Sequence, residues 1–149
     1  MKLIAGLLTL LLAGCAASGP PAPPLAETLT LTEQNFEEKG GILPIIGTLT
    51  LKIQPDGSAT SICKRQILTD VERRGDLSNE ARWELHTKVE AWVAKAGSPP
   101  PPSPKHYGLL SYGDLKVAWE KDASLAPELG DLVGFLKQQV ATLSVVRRR

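Results

Sequence analysis

This 149-residue chain has few of the residues from which metal and nucleotide sites are built. It contains two cysteines and two histidines, and aromatic residues make up 5% of it. Two cysteines and two histidines are too few for a structural zinc site unless carboxylates complete the ligand set. Any aromatic platform for stacking a ligand would also be small. We therefore predict no metal and no cofactor.

An excess of charge of one sign is also absent. The chain has 17 Lys and Arg residues against 16 Asp and Glu residues, a formal net charge of +1. A strongly basic face, as in a nucleic-acid-binding protein, would need an equally acidic face elsewhere. We predict no nucleic-acid partner. The length suits one domain and excludes an enzyme with separate cofactor and substrate lobes.

Motifs for catalysis are missing as well. The sequence has no Gly-x-Ser-x-Gly, no His-Glu-x-x-His and no phosphate-binding loop. A Cys–His pair would have to use Cys63 with His86 or His106, and no local signature surrounds any of them. Adjacent Glu37 and Glu38 would point to opposite faces of a strand, which excludes a shared acid/base site. We predict a buried or half-buried structural cysteine at position 63, no catalytic residue and no enzyme.

The N-terminus carries a targeting signal. After Met1-Lys2, residues 3–13 form an apolar run, interrupted by Gly6 and Thr9. This is the length of a secretory signal core and well short of the roughly 20 residues that span a bilayer. The run ends in Leu12-Ala13-Gly14-Cys15, which resembles the lipobox of bacterial lipoproteins. The alternative is an ordinary signal peptide whose apolar core happens to end in cysteine.

The lipobox resemblance implies a membrane-anchored protein. Residues 1–14 would be removed and the Cys15 thiol would carry a diacylglyceryl group, which makes the membrane a partner through its lipids. Ala16 and Ala17 follow, with no Asp in the second mature position, and by resemblance to enterobacterial sorting this favours the outer membrane of a bacterial cell envelope. Residues 15–26 hold four prolines and no charge. They predict a tether that packs no core and spans roughly 34 Å, at about 3.1 Å per residue over residues 16–26.

Alternating hydrophobic patterns predict about five strands downstream of the tether. Two of the connections have turn chemistry, Pro55-Asp56-Gly57 and Gly113-Asp114, and each predicts a hairpin. The basic residues Arg147-Arg148-Arg149 at the end of the chain read as a tail. The predicted strands cover residues 28–32, 47–54, 58–64, 107–112 and 115–119.

Two amphipathic helices are predicted between and after these strands. Ser78 is the expected N-cap of the first, which Gly97 ends, and its apolar stripe consists of Ala81, Leu85, Val89, Trp92, Val93 and Ala96. The second starts near Pro127 with Ser124 as its cap, and its stripe consists of Leu129, Leu132, Val133, Leu136, Val140 and Leu143. The fold prediction is α+β: a small antiparallel sheet of about five strands packed on one face by two helices. It forms a single domain over residues 27–146, with a proline-rich loop at 97–105 and the basic tail at 147–149.

Two features are candidates for binding a protein partner. Gly40 and Gly41 let a partner approach the backbone, and Leu43 and Pro44 follow as apolar residues of low entropy. The alternative places the apolar residues of this segment in the core, with the glycines forming a bulge. Trp83 lies off the apolar stripe of its helix, so it either contacts a partner or packs under the following linker.

The order of these elements resembles the emfourin family, small bacterial inhibitors of thermolysin-like metalloproteases. The resemblance rests on Gly40-Gly41, the Asp56-Gly57 turn and the order of strands and helices over roughly residues 28–143. The chain departs from the family at Glu38-Lys39, where many members have Arg-Ser, and in its long proline loop. The resemblance implies a protein that binds another envelope protein, specifically a secreted or periplasmic protease. The alternative is a structural or assembly lipoprotein of the outer membrane without inhibitory activity.

Overall fold

The computed structural model describes residues 19–38, 45–65, 68–96 and 107–148, which form one antiparallel sheet and two helices. Along the chain these elements are β1 (Leu29–Glu38), β2 (Ile45–Ile53), β3 (Ser58–Arg65), β4 (Val71–Asp76), α1 (Asn79–Lys95), β5 (Gly108–Tyr112), β6 (Leu115–Trp119), α2 (Pro127–Val140) and β7 (Ser144–Arg148). The strand order across the sheet is β6-β5-β1-β2-β3-β4-β7. The α+β class is confirmed, but the described residues contain seven strands rather than about five.

One face of the sheet carries the core. Alternation in β1 and β2 places a row of aliphatic side chains against the helices, each at most 1% exposed: Leu29, Leu31, Leu49, Leu51 and Ile53. Thr30, Thr32 and Thr50, which lie between them, face the other side and are half-buried. Complete burial of one such aliphatic side chain contributes about 1.5–3 kcal/mol. The predicted alternation of these two strands is confirmed.

Both predicted hairpin turns form as expected. Gly57 and Gly113 adopt positive φ angles of 87° and 56°, a backbone conformation that side chains with a Cβ disfavour. In the first turn, Oδ1 of Asp56 accepts hydrogen bonds from the hydroxyl and the backbone N–H of Ser58, at 2.7 and 2.9 Å. These two donors lower the pKa of the Asp56 carboxyl below its usual range, because they stabilise its charged form.

The sequence analysis missed β4 and β7, which extend one edge of the sheet. β4 has the sequence Val-Glu-Arg-Arg-Gly-Asp, and only Val71 in it is buried, so it shows no hydrophobic alternation. β7 pairs with β4, and it includes Arg147 and Arg148. These two residues therefore belong to a strand and not to a free tail, while Arg149 lies outside the described residues.

Helix α1 begins as predicted. The Ser78 hydroxyl accepts a hydrogen bond from the backbone N–H of Ala81 at 3.1 Å, which caps the helix. Leu85, Val89 and Trp92 are buried, as the stripe predicts. Val93 is 41% exposed, so its assignment to the buried stripe is wrong. It lies about 100° around the helix from Trp92, which takes it off the face that meets the sheet.

Helix α2 starts at Pro127 without the predicted cap. Its N-cap is Ala126, which offers no side-chain hydrogen bond, and the assignment of this role to Ser124 is wrong. Proline needs no hydrogen-bond partner at the first helical position, so the helix starts without a capping side chain. The predicted stripe is buried, and the sequence analysis missed Phe135, which is 6% exposed. Leu143 is buried but follows the end of the helix.

The two helices lie side by side on the sheet. Lys95 of α1 forms an ion pair with Glu128 of α2, and this hydrogen bond lowers the pKa of the Glu128 carboxyl. Lys88 of α1 lies over the ring of Phe135, 5.9 Å from its centroid. Within the described residues, neither helix is long and apolar enough to cross a bilayer.

Candidate functional site: the docked N-terminal strap and the two ends of the sheet

Residues 19–26 lie against the domain, and we call this segment the N-terminal strap. Ala22 is 4% exposed and Leu25 is 7% exposed, and Leu25 belongs to the core cluster. The expectation that this proline-rich segment packs no core is therefore wrong for these two residues. An extended proline-rich chain can still pack against a domain when single apolar side chains are buried and its backbone groups form hydrogen bonds.

Hydrogen bonds fix the strap at several points. The Asn79 side chain donates to the carbonyls of Pro20 (3.0 Å) and Gly19 (3.4 Å), and its Oδ1 accepts from the backbone N–H of Ala22 at 2.7 Å. Further along, the backbone N–H of Leu25 donates to the carbonyl of Pro55 at 3.1 Å. The strap is thereby joined both to the start of α1 and to the turn between β2 and β3.

The last contact of the strap reaches the other hairpin. The backbone N–H of Ala26 donates to the Tyr112 hydroxyl at 3.0 Å. Tyr112 precedes the Gly113-Asp114 turn between β5 and β6. Both turns and the start of α1 thus lie at one end of the sheet, which we call the strap end.

The opposite end of the sheet, which we call the loop end, is formed by other strand termini. A row of paired residues crosses the strands towards this end: Glu33, Leu49, Cys63, Val71 and Arg148. Beyond it lie the last residue of β1, Glu38, and the first of β2, Ile45. The ten residues of β1 separate the two ends by about 30 Å, at about 3.3 Å per residue.

The structure describes one of the predicted partner-binding residues. Gly40, Gly41, Leu43 and Pro44 fall outside the described residues, in the connection between Glu38 and Ile45. Trp83 lies in the first turns of α1, at the strap end.

Trp83 has a hydrogen-bonded N–H group and a partly exposed ring. Its indole Nε1–H donates to the carbonyl of Pro20 in the strap at 2.9 Å. Its ring meets the ring of His86 edge-on, with centroids 6.5 Å apart, and the side chain is 40% exposed. The polar atom of the indole is thus occupied by the strap, while a large part of its apolar ring faces outwards.

Sequence reasoning missed a buried carboxylate in the middle of β1. Glu33 is 3% exposed, and its Oε1 accepts hydrogen bonds from the Lys137 ammonium at 2.9 Å and from the Tyr107 hydroxyl at 3.3 Å. The signal was the alternation of β1, since Glu33 continues the inward phase of Leu29 and Leu31. The register of β1 against β2 shifts directly after Glu33, so the ion pair stabilises α2 against an irregular part of the sheet.

Cys63 and His86 are the candidate Cys–His residues that the structure describes. Cys63 is 1% exposed in β3, which confirms the prediction of a buried cysteine. A substrate could reach its thiol only after local opening of the sheet. His86 Nδ1 lies 3.5 Å from a carboxylate oxygen of Glu90 on the same helix. His106 and Cys15 lie outside the described residues.

An apolar groove of about 590 Å³ runs between the strap, α1 and β5. Its titratable lining groups are His86, Glu90 and Tyr112, and the hydroxyl of Tyr112 already accepts the hydrogen bond from Ala26. Across the part of the chain that the structure describes, no three His, Cys, Asp or Glu side chains are grouped so that they could hold a metal ion. The groove can take up an apolar group, and the polar groups in its lining are already paired with one another or with the strap, His86 with Glu90 and Tyr112 with Ala26.

Comparison with protein-family models and with curated proteins finds no match to this chain.

Proposed function

We propose that this chain is a lipid-anchored protein of the bacterial envelope, attached through Cys15, whose domain binds another protein at its loop end. The anchor is supported by the apolar run, its length and the Leu12-Ala13-Gly14-Cys15 sequence. More than one acyl chain on the cysteine gives stable attachment, because each buried methylene contributes about 0.8 kcal/mol. The absence of Asp after Cys15 favours the outer membrane.

The observation that carries this proposal is the placement of the strap. The strap leads back towards Cys15 from one end of the sheet, whereas the strand termini Glu38 and Ile45 lie at the other. In this proposal the strand termini Glu38 and Ile45 lie on the side away from the bilayer, where a soluble protein can reach the loop end.

The partner that the emfourin resemblance implies is a secreted or periplasmic protease. In this proposal the domain acts as an inhibitor and performs no catalysis, with Leu43 and Pro44 supplying apolar contact area and the glycines allowing close approach of the backbone.

Inhibition is tested with a soluble chain that starts at Gly19 and so retains every described contact of the strap. Peptide hydrolysis by a thermolysin-like protease is measured with increasing amounts of this chain. We expect hydrolysis to fall, and we expect the variant Leu43→Asp to inhibit at least tenfold less. Unchanged hydrolysis at excess protein contradicts inhibition of that protease and favours a structural or assembly lipoprotein.

The anchor is tested in cells. Cys15→Ser removes the thiol that would accept the lipid, so the protein should move from the membrane fraction to the soluble fraction. The matched control is Cys63→Ser, which removes the other thiol of the sequence and should leave the protein in the membrane fraction. Retention of the Cys15→Ser protein in membranes would show that something other than this lipid holds it there.

A further inference from the structure

We infer that the strap end of the domain rests on the bilayer and that the ring of Trp83 enters the lipid interface. The inference depends on the proposed lipidation of Cys15 and adds to it an orientation and a second membrane contact. It follows from the length of chain that separates the anchor from the docked strap.

Docking of the strap leaves a short connection. Gly19 and Pro20 are held by Asn79 and Trp83, so only residues 16–18 remain between Cys15 and the domain. Four residue steps span at most about 14 Å, at 3.3–3.6 Å per residue. The eleven-residue tether expected from the sequence would have reached more than twice as far. A lipid on Cys15 therefore holds the strap end within about 14 Å of the membrane surface.

Trp83 lies at the point where this segment meets the domain. Its Nε1–H donates to Pro20, which is five positions after Cys15. Trp83 is 40% exposed, whereas Trp92 and Trp119 are 5% and 9% exposed. Of the three tryptophans, one thus presents its ring to the surroundings, and it does so beside the anchor.

The chemistry of this ring fits the membrane interface. Tryptophan concentrates at the boundary between headgroups and acyl chains, because its apolar ring gains from burial while its N–H keeps a polar partner. In Trp83 the strap carbonyl already satisfies the N–H, so the ring can enter the interface without loss of a hydrogen bond. The charges at this end of the domain are of both signs, because Arg82 lies beside the Gly57 turn and attracts the exposed Asp56 carboxylate, while Glu80 is exposed as well, so a zwitterionic lipid surface matches them.

The test uses the full-length lipidated protein in vesicles of phosphatidylcholine, with and without bromine atoms on the upper part of the acyl chains. Bromine quenches tryptophan emission on contact. We expect emission to fall in the brominated vesicles for the wild-type protein. Trp83→Phe should show little or no fall, because Trp92 and Trp119 are buried in the core. Trp83→Phe also removes the hydrogen bond to Pro20, but the Asn79 hydrogen bonds to Gly19, Pro20 and Ala22 remain to hold the strap.

The possible outcomes distinguish a failure of the lipid anchor from a failure of the proposed orientation. Protein that floats with the vesicles but shows no quenching retains the anchor and overturns the placement of Trp83. Equal quenching in the wild type and in Trp83→Phe assigns the contact to another tryptophan and also overturns it. Protein that does not float overturns the lipid anchor, and with it the contact, which depends on the anchor.

Discussion

The Lys137 ammonium lies 2.9 Å from the carboxylate of Glu33, the one charged residue that is buried among the side chains described. Lys137 belongs to α2 and Glu33 to β1, so the pair joins the helix layer to the middle of the sheet. A buried carboxylate is stable only while it has a charged or hydrogen-bonding partner. The pair therefore ties the position of α2 to the irregular end of β1.

We expect Lys137→Met to lower the free energy of unfolding by about 1–2 kcal/mol. Removal of one partner from a fully buried pair costs about 3–5 kcal/mol, and the 40% exposure of the Lys137 side chain reduces this through solvent screening. Urea denaturation measures the change. Lys95→Met, which removes the more exposed ion pair with Glu128, is the control and should have a smaller effect. Equal effects of the two variants would contradict a special role for the buried pair.

The packing of the strap is tested by Leu25→Ala. Leu25 is 7% exposed, and truncation of a buried leucine removes apolar contacts and leaves a cavity, which costs about 2–5 kcal/mol in a rigid core. Because the strap lies at the start of the chain and can adjust, we expect a loss near 2 kcal/mol. Leu68→Ala makes the same change at a residue that is 54% exposed, and we expect it to alter stability little. Similar losses for both would mean that the strap does not stay docked in solution.

Gly134, inside α2, allows a substitution that should stabilise the protein. A Cβ at Gly134 would meet no atom within 4 Å, and alanine forms helix better than glycine by about 0.5–1 kcal/mol. We therefore expect Gly134→Ala to raise the melting temperature by a few degrees. Gly108→Ala, by contrast, would make its Cβ overlap with atoms of the Trp119 indole ring, and it should lower the melting temperature clearly. A melting temperature that rises in both variants would contradict the packing of β5 against Trp119.

The hydrogen bonds in the turn between β2 and β3 should make the stability of the fold depend on pH. The pKa of Asp56 is lowered by the two donors of Ser58, so this carboxyl binds a proton less readily in the folded chain than in the unfolded chain. Its stabilising effect is therefore complete above the usual aspartate pKa of about 3.9 and is lost as the pH falls through the lower, folded value. Asp56→Asn should reduce the difference in stability between pH 6 and pH 3, measured by thermal denaturation. An unchanged difference would exclude Asp56 as a contributor.

The parts of the fold that the sequence predicted are those with a local pattern. Alternating Leu and Ile residues defined β2, a positive-φ glycine beside an aspartate marked the turn of both hairpins, and Ser78 preceded the stripe of α1. In each case the residues that determine the structure lie within a few positions of one another. The side chains that bury or cap the element are then visible in the sequence itself.

The features that escaped prediction depend on partners far apart in the chain. The charged β4 becomes a strand because β3 and β7 pair with its two sides, and its own residues carry no alternation. The strap docks because Asn79 and Tyr112 offer hydrogen bonds that no local pattern indicates. For the candidate site, the sequence indicated that Trp83 lies off the stripe, but only the strap contact defines the position of its ring.

The strand order has a consequence for how the chain folds. β1 is the first strand to be made, yet it pairs on one side with β2 and on the other with β5, so that Leu29 lies opposite both Ile53 and Tyr112. The β1-β2-β3-β4 meander can form from local contacts, but one side of β1 stays open until β5 has been synthesised. Closure of such long loops slows folding. We therefore expect late pairing of β1 with β5, with the backbone N–H and C=O groups on one side of β1 unpaired until β5 has been made.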